Sequence, residues 1–101
     1  MGEIHMYQEF LQYLEEKPSF KSGRYIKASA KHYANAIRTI SDEMIEVGMI
    51  NESIYNIIDV CLLDKVIIKI MKNKNFIEKN QRGDNMYSNA LEHFQYFRHY
   101  M

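Results

Sequence analysis

The sequence contains a single cysteine, a single proline and four glycines in 101 residues, and it carries no net charge. With only Cys61, an internal disulfide framework and a zinc knuckle are both excluded, and a reducing, cytoplasmic setting is expected. So little proline and glycine leaves no linker that would divide the chain, and nothing resembles a phosphate-cradling glycine loop. No stretch reaches the roughly 18 apolar residues of a membrane span. Residues 50–71 come nearest, but Glu52, Asp59, Asp64, Lys65 and Lys69 interrupt them. The N-terminus lacks a basic flank followed by an apolar run, so no secretory signal is expected. Neutrality also argues against a tight, indiscriminate polyanion binder.

Apolar and aromatic residues are plentiful. They make up 47% of the chain, with eight Tyr, five Phe and seven Met, which is enough for one packed core and too much for a disordered segment. A single domain over residues 1–101 is expected. Charge falls in blocks: residues 1–16 hold four acids and no base, and residues 17–38 hold six bases and no acid. Residues 39–64 then hold six acids and no base, and residues 65–82 hold six bases against Glu78 alone. Such blocks either pair between neighbouring helices or give the surface a dipole.

Periodicity predicts an all-α, compact bundle of about five helices. The first helix spans residues 3–16, with Met6, Phe10, Tyr13 and Leu14 on its inner side, and Pro18 ends it. The longest runs from about Tyr25 to Val47, with an apolar seam of Ala30, Tyr33, Ile37, Ile40, Met44 and Val47. Gly48 stops it. A short turn follows at 54–58, and then a helix over 60–73 capped by Asp59, with Leu63, Val66, Ile67 and Ile70 inward and Ile68 on the wet side. Residues 73–80 break the period and read as a loop plugged by Phe76 and Ile77. The last helix follows a turn at 81–85, where Gly83 is expected at positive φ and Asp84 or Asn85 as cap. Its stripe is Tyr87, Ala90, Leu91, Phe94, Phe97, Arg98 and Met101.

Catalytic chemistry finds no support. Cys61 lies in the apolar VCLL run and reads as a buried, inert thiol. The four histidines form no i, i+4 pair, no HExxH or EF-hand pattern occurs, and no metal or cofactor is expected. His93 and His99 are placed at the wet edge of the last helix. Nucleic-acid binding has more to offer. Arg24, Lys27, Lys31, Asn35 and Arg38 form a stripe of about 21 Å at the helical rise. Lys65, Lys69 and Lys72 form a second set, and Lys74, Lys79 and Arg82 a third, with Asn73, Asn75, Asn80 and Gln81 as donors to phosphate or base edges. Tyr25, Tyr96 and Tyr100 could stack on bases. The competing class is a protein-binding module whose acidic block (Asp42, Glu43, Glu46, Glu52) faces a basic groove on its partner. A symmetric homodimer through Ile68 and the last helix suits either class.

Four segments carry a resemblance: SAKHYANAIRTIS at 29–41, IYNIIDV at 54–60, KNKNFIEKN at 72–80 and GDNMYSNALEHFQYF at 83–97. In this order they resemble the small helical module that precedes catalytic domains in bacterial restriction-type proteins, including HNH nucleases and relatives of the methyl-directed restriction enzymes. Met86, Tyr87, Ser88, Ala90 and Leu91 match the opening of that module's final helix, its most specific part. More loosely, the arrangement is similar to the core-binding domain of tyrosine recombinases. The resemblance implies a non-catalytic module that holds duplex DNA and leaves cutting to a neighbouring nuclease domain. A free-standing phage or mobile-element inhibitor of a host nuclease, like an anti-CRISPR, is the alternative.

Overall fold

The computed structural model describes residues 3–101; the first two residues, part of the stretch read for a secretory signal, lie outside it. Five α-helices follow one another: α1 (Glu3–Glu16), α2 (Lys27–Glu46), α3 (Val60–Met71), α4 (Lys74–Arg82) and α5 (Met86–Tyr100). A single 3-10 turn at Ile54–Asn56 separates α2 from α3. No strand occurs among the described residues, so the all-α bundle is what forms.

Local chemistry accounts for most of the boundaries. α1 stops at Glu16, two residues before Pro18. Gly48, at φ +78°, closes α2, and the Met49 amide bonds back to the Met44 carbonyl at 2.9 Å. Asp59 caps α3 as expected, accepting from the Cys61 and Leu62 amides at 2.8 and 3.2 Å.

Three expectations need correction. α2 begins at Lys27 rather than Tyr25, because Pro18 and Tyr25 form an isolated antiparallel bridge that holds the preceding residues extended. Residues 74–82 are helix, not loop: Asn73 accepts from the Phe76 amide at 3.0 Å, and Phe76 turns into the core while Ile77 stays exposed. In the turn before α5, Gly83 keeps a negative φ, whereas Asp84 and Asn85 take the positive values. A Cβ at Gly83 would stand 3.2 Å from the Tyr87 ring, which would have to shift slightly to admit it. The cap of α5 comes from α4: Asn80 Oδ1 accepts from the Ser88 amide at 2.9 Å.

α5 lies at the centre, packed by α2, α1, α3 and α4, while α2 is held between α1 and α5. Phe10, Tyr55, Phe94 and Phe97 form an aromatic cluster where α1, the 3-10 turn and α5 meet, with ring centroids 5.1–6.4 Å apart. Buried polar groups fasten the 3-10 turn to α2. Ser41 donates to the Ile37 carbonyl at 2.7 Å and accepts from the Ile54 amide at 3.0 Å, and the Tyr55 hydroxyl donates to the Ala34 carbonyl at 2.6 Å. The radius of gyration is 12.7 Å, close to the roughly 13 Å of a compact chain this long. No helix among the described residues is long and apolar enough to cross a membrane.

Candidate nucleic-acid interface

The stripe predicted on α2 does not survive as one surface. Arg24 is not helical; it sits in the turn bounded by the bond from the Ser19 amide to its own carbonyl at 2.7 Å. Asn35 accepts from the Tyr7 hydroxyl at 2.9 Å, and the Arg38 guanidinium lies over the Tyr7 ring, 3.9 Å from its centroid. This stacking fastens α1 to α2 by a cation–π contact. Arg38 therefore belongs to the helix interface, and what remains free on the wet side is Lys27 and Lys31, both exposed. Nothing local in the sequence marks this outcome, because Tyr7 and Arg38 stand 31 positions apart.

Lys79 is likewise engaged. Its ammonium bridges to Glu43 of α2 and lies 5.0 Å from the centre of the Tyr87 ring. The Glu43 carboxylate raises its pKa, so it remains charged. That bridge also removes Glu43 from the acidic block, leaving Asp42, Glu46 and Glu52 exposed.

The α3–α4 corner keeps its charge available. Lys65, Lys69 and Lys72 are exposed on α3, Lys74 is exposed at the start of α4, and Arg82 is exposed at its end. No acid occurs from residue 65 to 77. Asp64, just before this run, is turned towards α5, where it accepts from Gln95 at 2.8 Å and meets His99 at 2.9 Å. It anchors α3 to α5 and leaves the lysines without a neutralising partner on their own helix. Asn75 and Gln81 are exposed, whereas Asn73 and Asn80 are spent as caps. Among the tyrosines, Tyr25 and Tyr100 are exposed, and Tyr96 stacks on Phe20 with centroids 4.5 Å apart. The two cationic regions lie on different helices, Lys27 and Lys31 on α2 and the others on α3 and α4.

Two further expectations reverse. Cys61 is exposed, because its arc of α3 faces no neighbouring helix. His93 is buried, 4% exposed, stacked on Tyr33 of α2 at 5.1 Å and edge-on to Phe20 at 5.2 Å. Burial lowers its pKa, the nearby Lys21 ammonium lowers it further, and Glu92 opposes both. In the unfolded chain the imidazole protonates at its ordinary 6.5, while in the folded chain it stays neutral to lower pH. Its contribution to stability is thus complete above pH 6.5 and declines as the pH falls through that value. Melting temperature measured between pH 5 and 7 is expected to drop on the acid side, and His93→Gln is expected to flatten that limb.

Among the described residues, no three His, Cys, Asp or Glu side chains are placed to hold a metal ion. Comparisons with protein-family models, with curated proteins and with solved structures found no match.

Proposed function

We propose that the chain is a non-catalytic DNA-binding module of a bacterial restriction or defence-type system, and that it holds duplex DNA mainly through the α3–α4 corner. The observation that carries this reading is the run Lys65, Lys69, Lys72 and Lys74, exposed on two consecutive helices with no acid among them. Cations at this spacing suit a row of phosphates, and lysine side chains bind phosphate without selecting sequence. Lys27 and Lys31 on α2, with Arg24 in the turn before it, offer a subsidiary contact.

The test is anisotropy of a labelled random-sequence duplex titrated with protein at several salt concentrations. Four neutralised phosphates give a log–log salt slope of about −3.6, and Lys65→Glu with Lys72→Glu is expected to weaken binding and flatten the slope by about 2. No retention at low salt refutes the reading. A second reading, an inhibitor that occupies the basic groove of a host nuclease, draws on the exposed Asp42, Glu46 and Glu52. Capture of a nuclease from lysate that persists after nucleic acid is digested would favour it.

A further inference from the structure

A cavity of about 560 Å³ opens where the start of α1, the 3-10 turn, the first residue of α3 and the end of α5 come together. Met6, Ile57, Ile58 and Val60 give it apolar walls, and Asn56 and Arg98 bring polar groups to the same lining. Ile58, 88% exposed, stands at the mouth. That size, with mostly apolar walls and few polar groups, is typical of a small-ligand site. None of the cations proposed for DNA contact lines it.

Charge decides the kind of ligand. Arg98 is 7% exposed, and its bonds to the Ile57 and Ile58 carbonyls, at 2.5 and 2.7 Å, fix the guanidinium at this wall. Carbonyl dipoles solvate a cation without neutralising it. No carboxylate pairs with Arg98 among the described residues, and no acidic side chain lines the cavity. Buried charges are ordinarily paired, so the missing partner is an anion, and the walls require that it carry an apolar body. A carboxylate suits this better than a phosphate. The second charge of a phosphate would find only His5 at the rim, which Glu9 already faces at 3.5 Å.

Asn56 narrows the class. Its Oδ1 is buried and has no hydrogen-bond partner among the described residues, and a buried acceptor left alone calls for a donor. A ligand with an N–H beside its carboxylate answers both groups. We propose that the cavity binds an N-acylated apolar amino acid, with its carboxylate on Arg98, its amide N–H on Asn56 Oδ1, and its side chain and acyl chain against Met6, Ile57, Ile58 and Val60. A free acyl amino acid and the last residue of a peptide share this chemistry. The site is independent of DNA binding, and its test needs no nucleic acid.

N-octanoyl-L-leucine titrated into nitrogen-15-labelled full chain is expected to give saturable shifts at the amides of residues 56–58 and at the Arg98 side chain. Its methyl ester keeps the shape and loses the charge, and should bind at least about tenfold more weakly. Decanoate lacks the N–H and should bind about fivefold more weakly. Asn56→Ala removes an acceptor that bonds to nothing in the protein. It should bring the acylated leucine down to the affinity of decanoate while leaving decanoate unchanged, a pattern that a folding defect cannot imitate. The ester tests the charge with Arg98 in place, so the fold is not put at risk. A pentapeptide ending in leucine separates the two sources: tighter binding than the acylated leucine assigns the site to peptide C-termini, and weaker binding to free acyl amino acids. Absence of shifts at residues 56–58 with millimolar acylated leucine overturns the proposal. So does equal binding of acid and ester, or decanoate binding as tightly as the acylated leucine.

Discussion

Phe94→Ala is expected to lower the free energy of unfolding by about 3–5 kcal/mol. Phe94 is fully buried, edge-on to Phe10 at 5.1 Å and to Tyr55 at 5.2 Å, and it also meets Phe97 at 6.0 Å. It joins α1, the 3-10 turn and α5, so truncation leaves a void that none of the three can close without shifting the other two. Domains of this size hold about 5–15 kcal/mol in total, so a loss of that order removes much of the margin. Urea denaturation followed by circular dichroism measures it. A loss below about 1 kcal/mol would mean that the aromatic cluster collapses around the void, contrary to the partial relaxation on which the estimate depends.

Arg98→Met is expected to cost about 2–4 kcal/mol. Arg98 is 7% exposed, and burial lowers its pKa, the sign of a charge that gave up its hydration. What offsets that cost is the pair of charge-assisted bonds to the Ile57 and Ile58 carbonyls. Methionine fills the space but donates nothing, so the Ile57 carbonyl is left buried without its partner while the Ile58 carbonyl, beside an exposed side chain, recovers water. The acceptor penalty outweighs the relief of removing a buried charge. Arg98→Lys should recover less than half, because one ammonium lacks the planar fork that reaches both carbonyls. Full stability of the methionine variant would show that the clamp is not needed. Hydrogen exchange at residues 57–59 should accelerate more than at α2, which ties the effect to this clamp rather than to general loosening.

Helices α5, α3 and α4 show how far periodicity reads. The three-and-four spacing of α5 placed Ala90, Leu91, Phe94 and Phe97 inside, and even put Arg98 on the apolar stripe, where it is found. Spacing gives the angle of a side chain around its helix axis, but not which arcs neighbours cover. α5 is surrounded by four helices, so its covered arc extends to His93. The outer arc of α3 faces no helix, so Cys61 lies open despite its apolar setting. α4 was hidden for a related reason. Its sequence is mostly polar, and its helicity rests on one asparagine cap and on the burial of Phe76.

By itself, then, the sequence determined the all-α class, the breaks at Pro18, Gly48 and Asp59, and the alternation of charge, since each depends on a residue and its near neighbours. Only the tertiary structure decided which cations are free. Tyr7 takes Arg38, Glu43 takes Lys79, and Asp64 turns away from the lysines towards α5. A charge is available to a ligand only when no closer partner holds it, and partners far apart in sequence meet only once the helices have packed.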